Sequence, residues 1–157
     1  MGSEERSPAG EAATRLILST FRANGLLLEA GNVLTEDVGL TSARWQVLGA
    51  ITLAARPLTV PQIARRMGLT RQSVHATVDR LVGDGFAELA TNSDHRRSPL
   101  VALTAQGEAA YAELDNRQAA WANRLARGTR RSDLEAAVRV LDDLCHRLDA
   151  DAGGMTR

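Results

Sequence analysis

The chain has little cysteine, few aromatic residues and no lysine. Among its 157 residues there is a single cysteine, 3% of the residues are aromatic, and arginine supplies all 19 basic side chains. The lone Cys145 cannot form an intramolecular disulfide, which fits a reducing compartment. Because aromatic side chains are scarce, the core must be built from aliphatic residues and alanine.

The chain also lacks the sequence features of membrane, secreted and enzymatic proteins. No run is apolar over the length that a membrane span needs, and the N-terminus lacks the charged-then-apolar order of a signal peptide. Arg6 stands where a myristoylation motif needs serine or threonine. We find no nucleophile elbow, no phosphate-binding glycine loop and no cluster with metal-ligand spacing. These absences predict a cytoplasmic protein that is not an enzyme, with no cofactor, no metal site and no membrane partner.

The net charge is zero, but the charges are unevenly distributed. The 19 arginines balance 19 acidic residues. Between Arg56 and Thr104 seven arginines stand against four acidic residues, so this segment carries a surplus of +3 and the remainder of the chain −3. Nucleic-acid binding depends on where the charge lies rather than on its sum. The middle of the chain is therefore the candidate for contact with DNA.

Two helices joined by a tight turn are predicted in this middle segment. Thr59 and Gln62 have the spacing of a capping box at the start of the first helix. A small residue at Ala64 lets a second helix cross closely, and Gly68 permits the left-handed conformation that ends a helix abruptly. Val74 then lies between the two helices. This spacing is typical of a helix-turn-helix, whose second helix enters the major groove of DNA.

The second helix is predicted from Arg71 to about Asp84, with Thr70 as its N-cap. Apolar residues at helical spacing give it one buried face, formed by Val74, Val78, Leu81 and Val82. We assign to DNA the cap and the residues of the opposite face, whose side chains suit phosphates or base edges: Thr70, Arg71, Gln72, Ser73, His75, Ala76, Thr77 and Arg80. The alternative is a solvated helix face that binds nothing.

A hairpin follows the second helix. Phe86–Thr91 and Leu100–Leu103 are predicted as strands, separated by polar turn-forming residues. Arg96 and Arg97 lie in this connection, and adjacent arginines suit a minor groove, whose narrow negative potential attracts guanidinium groups. The alternative is a merely solvated loop. A hairpin after a helix-turn-helix is a wing.

The chain resembles the MarR family of bacterial winged-helix regulators. Three segments carry the resemblance, GLTSARWQVL, LTVPQIARRMGLTRQSVHATVDRLVGDGFAE and DHRRSPLVALTAQG, and it extends from about Leu16 to Leu148. The resemblance implies a homodimer that binds pseudo-palindromic double-stranded DNA, mostly as a repressor. It also implies a small phenolic or lipophilic effector, since many members release DNA on binding such a ligand.

The wing departs from the pattern of that family, which often has Asp-x-Arg a fixed distance before Leu-Thr. Counting back from Leu103 places His95 at the aspartate position and Arg97 at the arginine. Counting from Asp94 selects Arg96 instead. Both registers stay open, as does the question whether Asp94 braces the arginine.

The ends of the chain are predicted to be helical. Apolar residues at helical spacing indicate helices in 11–38 and 105–150, and Ser132 with Glu135 has the spacing of a capping box at the start of the last helix. These helices could pack on each other, or against a second subunit, as the resemblance implies. Cys145 occupies an apolar heptad position and is predicted to be a buried, inert thiol. Residues 1–10 are predicted to be a disordered tail.

Trp45 lies on a further helix, predicted from about Ala43 to Ala55. A large aromatic residue at helical spacing from Leu48 is most simply part of the core. The alternative is that Trp45 forms a wall of a ligand pocket beneath the first helix.

These features predict a mostly α-helical protein with a small β-hairpin wing. Residues 41–104 form a winged helix-turn-helix, and the long terminal helices form a dimerisation region. The predicted function is that of a sequence-specific transcriptional regulator, a repressor, acting as a homodimer on a pseudo-palindromic operator. The alternative is a winged-helix protein-interaction module without specific DNA binding. The operator, the regulated genes and the sign of regulation stay open.

Overall fold

The computed structural model describes residues 5–154, and most of them are helical. A short 3-10 helix, Glu36–Val38, connects the first two helices. In chain order the α-helices and strands of the described range are α1 (Pro8–Thr35), α2 (Ser42–Ala54), β1 (Leu58–Thr59), α3 (Val60–Met67), α4 (Arg71–Gly83), β2 (Ala87–Ala90), β3 (Leu100–Leu103), α5 (Ala105–Leu125) and α6 (Arg131–Gly154). The predicted class, mostly α with a small β-hairpin, is confirmed.

The first helix begins earlier than the sequence predicts. Ser7 caps α1, its hydroxyl oxygen accepting a hydrogen bond from the backbone N–H of Gly10 at 3.1 Å. Residues 8–10 of the predicted tail are therefore helical, because Pro8 is well placed in a first helical turn, where no N–H is needed. Residues 1–4 of that predicted tail lie outside the described residues.

The chain divides into two compact units. The first ends at Arg117 and contains α1 to α4, the sheet and the start of α5. The second begins at Gln118 and contains the rest of α5 with α6.

The sheet has three antiparallel strands in the order β1-β3-β2. Leu58 pairs with Val101 on one side of β3, and Leu89 pairs with the same residue on the other side. The sequence predicts only the β2–β3 hairpin. The two-residue strand β1 adds an edge that ties the chain before α3 to the base of the wing.

The core of the first unit is aliphatic, as the composition predicts. It lies between α2, α3, α4 and the sheet, and its fully buried side chains include Val47, Leu48, Leu58, Ile63, Val74, Val78, Leu81, Val101 and Leu114. Three of the four residues predicted to form the buried face of α4 belong to this core, and Val82 is half-buried beside it. Burial of this face fixes which side of α4 points to solvent.

A close contact joins α1 to α2. The side-chain oxygen of Asn32 accepts a hydrogen bond from the backbone N–H of Ser42 at 2.8 Å. A Cβ atom at Gly31 would lie 2.6 Å from the Ser42 hydroxyl oxygen and 3.0 Å from the Ser42 Cβ, so a glycine at residue 31 favours this close approach of the two helices.

A second close contact fixes the start of α5. The hydroxyl of Thr104 donates to the carbonyl of Gly85 at 2.6 Å and accepts from the N–H of Gly107 at 3.1 Å. A Cβ atom at Gly107 would lie only 2.0 Å from the carbonyl oxygen of Phe86. The wing and α5 are thereby held to the segment that follows α4.

The last helix starts differently from the prediction. Helix α6 begins at Arg131, so Ser132 lies inside it and does not cap it. Arg130 precedes the helix, and its guanidinium makes two hydrogen bonds to the Asp133 carboxylate, at 2.9 and 3.0 Å. This ion pair stands near the helix start in place of the predicted capping box. The Asp133 carboxylate lies in the first turn of α6, where its negative charge stabilises the helix dipole.

Apolar side chains remain exposed on the terminal helices. On α1 the exposed fractions reach 70% for Phe21 and 72% for Val33, and on α6 they reach 57% for Val138 and 67% for Leu148. Cys145 is also exposed in the single chain, contrary to the prediction of a buried thiol, because an apolar heptad position is buried only where a partner helix covers it. Within residues 5–154, none of the helices combines the length and apolar character needed to cross a membrane.

Candidate DNA-binding surface

The turn between α3 and α4 has the geometry of a helix-turn-helix. Thr59 precedes α3, and its backbone N–H donates to the Gln62 side-chain oxygen at 2.9 Å. Gly68 ends α3 in the left-handed conformation, with φ of 63°. The next residue, Leu69, donates its N–H to the Ala64 carbonyl at 2.9 Å, which closes the turn.

Helix α4 places the predicted contact residues on one exposed face. Thr70 caps the helix, its hydroxyl oxygen accepting from the N–H of Ser73 at 3.1 Å. Thr77 is half-buried, and its hydroxyl donates to the Ser73 carbonyl at 2.9 Å. The remaining residues of the predicted set on α4 are exposed: Arg71, Gln72, Ser73, His75, Ala76 and Arg80. Thr77 therefore presents chiefly its methyl group, while most of the other side chains are free to meet a ligand.

The arginines of α4 form no ion pair with the described part of the chain. The carboxylate of Asp79 lies 3.9 Å from Nδ1 of His75, one turn earlier on the same helix, and both side chains are exposed. The guanidinium groups of Arg71 and Arg80 therefore keep a positive charge that no described carboxylate pairs with, which is the property that a phosphate-binding surface needs.

The wing is organised by the side chain of Asn92. It is 7% exposed, its Nδ2 donates to the Ser98 carbonyl at 2.8 Å, and its Oδ1 accepts from the N–H groups of Asp94 and His95 at 3.1 and 3.4 Å. A backbone hydrogen bond of 2.9 Å from the Ser98 N–H to the His95 carbonyl then closes a tight turn. The position of the wing tip is therefore set by one buried amide.

Arg96 and Arg97 occupy the two central positions of that turn. Both are exposed, and neither forms an ion pair with the described residues. The Asp94 carboxylate accepts a hydrogen bond from the Ser93 hydroxyl at 3.3 Å and contacts neither guanidinium group. In the unbound chain both arginines are available, and Asp94 does not brace either of them.

Replacing Asn92 with alanine is expected to loosen the wing tip without removing a charge. Three hydrogen bonds to a buried amide are lost, and each contributes about 1 kcal/mol. The amides of Asp94 and His95 should therefore exchange with solvent deuterium at least tenfold faster, as measured by mass spectrometry. Thr91→Ala is the control, since the Thr91 side chain is exposed and makes no hydrogen bond with the described residues, so this exchange should stay unchanged. Equal exchange in Asn92→Ala and the unmodified chain would contradict this role of Asn92.

An ion pair holds the end of α4 against α2. The Arg44 guanidinium lies 2.8 Å from the Asp84 carboxylate and is 17% exposed, and it also donates to the Gly39 carbonyl at 3.4 Å. Asp84 is the C-cap residue that directly follows α4. Sequence patterns do not single out Arg44, because its partner is 40 positions away and no local motif links the two.

Trp45 packs against the core. It is half-buried beside the aliphatic core of the first unit. Nearby on α5, Tyr111 lies over α2 at Gly49, where a Cβ atom would be 3.4 Å from its ring. Burial, reinforced by the negative charge of Asp115, raises the pKa of Tyr111, so its hydroxyl stays protonated at neutral pH.

Arginines outside the predicted set lie in a groove between α3 and the wing. Arg56, before β1, and Arg65, on α3, line this groove together with wing residues. Neither arginine belongs to the set predicted from the sequence. The signal available was the surplus of arginine after residue 56, but the charge count alone does not show which arginines face the wing.

Comparison with known proteins identifies the relatives of this winged-helix chain. A profile of the MarR family matches residues 38–98, from the end of the 3-10 helix to the wing. The uncharacterized protein Rv2011c of Mycobacterium tuberculosis is 45% identical over 112 residues, covering 71% of this chain and 77% of that protein. The chain belongs to the MarR family. The transcriptional activatory protein BadR of Rhodopseudomonas palustris is 31% identical over 99 residues, covering 62% of this chain and 57% of BadR.

Solved structures share the fold of this MarR family chain. The MarR family transcription regulator SP03579 superimposes with a TM-score of 0.73 at 23% identity, covering 92% of this chain and 94% of that one. The M. tuberculosis regulator MosR, solved in complex with DNA, gives 0.68 at 22% identity over 85% and 96% of the two chains. CouR from Rhodococcus jostii RHA1, bound to p-coumaroyl-CoA, gives 0.73 at 21% identity over 90% and 96%.

Proposed function

We propose that this MarR family chain is a homodimeric, sequence-specific transcriptional repressor that binds a pseudo-palindromic operator in the cytoplasm. The observation that carries the proposal is the exposed face of α4. The side chains of Arg71, Gln72, His75 and Arg80 are exposed to solvent there and can contact a ligand. The exposed arginine pair of the wing tip lies in the same compact unit. MosR, which shares the fold, was solved in complex with DNA.

Each part of this surface suits a different feature of the duplex. Gln72 and the arginines can donate to base edges in the major groove, and Ala76 with the Thr77 methyl suits a thymine methyl group. Arg96 and Arg97 suit the narrow, negative minor groove beside it. A helix in the major groove with a cationic tip in the adjacent minor groove is the arrangement that the proposal assigns to each subunit.

A second copy of the chain is proposed to cover the exposed apolar residues of the terminal helices. The 11–38 and 105–150 regions are assigned to this dimer interface, because apolar side chains such as Phe21 and Leu148 are 70% and 67% exposed in the single chain. Removing apolar surface from water stabilises an assembly by about 25 cal/mol per Å². A two-fold axis would place the two α4 helices about one helical turn, ~34 Å, apart on the DNA.

A small phenolic or lipophilic effector is proposed to release the DNA. CouR, which shares the fold, was solved with p-coumaroyl-CoA bound. The dimer is proposed to have two forms, one with the α4 helices spaced to fit the operator and one with a different spacing. An effector that binds the second form more tightly shifts the population towards it and so lowers the affinity for the operator. Trp45 is proposed to contact it beneath α1. Catalysis, a metal and a cofactor play no part in this scheme.

The proposal is tested with the purified full chain. Sedimentation at micromolar concentration should give a dimer. A gel shift should retain the fragment upstream of its own gene in preference to an unrelated fragment of equal length. Selection of bound sites from a random DNA pool should return a two-fold symmetric sequence. A monomer, or weak binding that is indifferent to sequence, would instead indicate a winged-helix protein-interaction module.

The sign of regulation requires a separate measurement. A reporter driven by the selected operator should increase in expression when the regulator is deleted, because a dimer on the operator blocks the promoter. The relative BadR is an activatory protein by name. A fall in reporter expression on deletion would assign activation to this chain while leaving its DNA binding intact.

A further inference from the structure

A cationic groove separates helix α3 from the wing. Its volume is about 630 Å³. The segment leading into α3 and the first turns of that helix line one side of it, with Arg56, Gln62 and Arg65, and the wing lines the other, with Asp94. A smaller groove of about 410 Å³ adjoins it and shares Arg56, Gln62 and Arg65, with Arg66 added.

The charge on the helix side of this groove is uncompensated. Arg56, Arg65 and Arg66 are exposed, and none of them forms an ion pair with the described residues. The Arg56 guanidinium donates one hydrogen bond within residues 5–154, to the carbonyl of the adjacent Pro57 at 3.5 Å. Asp94 is the one carboxylate that lines the groove, and it stands on the wing side. An anion in the groove would therefore lie against α3.

Gln62 adds an oriented donor to the same side. Its side-chain oxygen is held by the Thr59 N–H at 2.9 Å. An amide whose oxygen is fixed in this way presents its NH₂ group as a donor only. Two guanidinium groups and one amide NH₂ offer planar N–H donors, which is the chemistry that binds phosphate oxygens.

The position of the groove identifies the anion. In a helix-turn-helix complex the first helix, here α3, crosses the DNA backbone while the second lies in the major groove. Suppose that α4 occupies a major groove of the DNA and the wing tip occupies the adjacent minor groove. The DNA strand that separates these two DNA grooves must then pass between α4 and the wing, next to the protein groove that Arg56 and Arg65 line. We propose that Arg56 and Arg65, with Gln62, bind the phosphates of this strand and so fix the register of the protein on its operator.

This inference rests on the proposed function, and it adds Arg56, Gln62 and Arg65 to the residues that contact the DNA. Contacts to phosphates carry no sequence information, but they set position and orientation. Arg56 and Arg65 should accordingly affect all DNA sequences alike, whereas base-reading residues of α4 should affect single base pairs.

The test is the double variant Arg56→Ala with Arg65→Ala, titrated with operator and with unrelated DNA at several salt concentrations. A dimer would lose up to four phosphate contacts, and each contributes about 0.9 to the slope of log K against log salt. We expect the slope to flatten by about 2 to 4 and the affinity at physiological salt to fall about 10- to 100-fold for both DNAs. The corresponding double lysine variant keeps the charge and should restore the slope.

Arg127→Ala is the matched control. Arg127 is exposed in the loop between α5 and α6 and forms no ion pair with the described residues, so its removal should leave the slope unchanged. Thermal unfolding of each variant excludes loss of fold. An unchanged slope in the double alanine variant, or a loss confined to one base pair of the operator, would overturn the inference while leaving the proposed function standing. Failure of the unmodified chain to bind any fragment would overturn the proposed function itself.

Discussion

Replacing Gly107 with alanine is expected to lower the free energy of unfolding by about 3 kcal/mol or more, because overpacking against backbone costs more than overpacking against a mobile side chain. The added Cβ would lie 2.0 Å from the Phe86 carbonyl oxygen and 3.0 Å from its carbonyl carbon. Neither atom can move alone. The same carbonyl accepts the Thr104 N–H at 3.2 Å, so any relief of the clash disturbs the start of α5.

The measurement is urea unfolding at one fixed protein concentration, since a dimer unfolds in a concentration-dependent way. The midpoint should shift while the slope of free energy against urea stays constant. Gly83→Ala is the control: Gly83 ends α4, and a Cβ there would meet nothing within 4 Å. It should be neutral or stabilising by up to about 1 kcal/mol. Equal stability of Gly107→Ala and the unmodified chain would show that α5 does not depend on this contact.

The helix-turn-helix could be predicted because its determinants are local. Thr59, Gly68 and Thr70 act on backbone groups within about five positions of themselves, so their roles can be inferred from spacing alone. The buried face of α4 follows from periodicity in the same way. A change of period and a polar tip predict the wing. They do not predict the role of Asn92 in fixing the wing tip, because nothing in the sequence distinguishes Asn92 from other polar turn residues. Its role follows from the burial of its side-chain amide.

Features that depend on long-range packing could not be predicted. Strand β1 is two residues long and exists only because β3 passes beside it, about forty positions later. The pairing of Arg44 with Asp84 and the alignment of Arg56 with the wing likewise arise from the fold of the first unit. Cys145 was predicted to be buried because an apolar heptad position implies a partner helix, and in the single chain that position is exposed.

Removing both wing arginines is expected to have the largest effect on DNA binding. Arg96→Ala with Arg97→Ala should lower operator affinity about 100- to 1,000-fold at 0.15 M salt, since each lost phosphate contact is worth about 1 kcal/mol there and a dimer carries four of these side chains. The narrow minor groove strengthens the attraction further. Titration at several salt concentrations should show the slope flattening by about 2 to 4. Unchanged affinity and slope would remove the wing from the mechanism.

The single variants separate the two registers of the wing. Arg96 and Arg97 share the centre of one turn, so a dominant loss in Arg96→Ala or in Arg97→Ala identifies the side chain that enters the groove. Asp94→Asn is the matched control. Its carboxylate contacts the Ser93 hydroxyl and neither arginine, so removing this negative charge from the tip should leave affinity equal or raise it slightly. A marked loss in Asp94→Asn would mean that the carboxylate braces an arginine once DNA is bound, which is the geometry that the family resemblance implies.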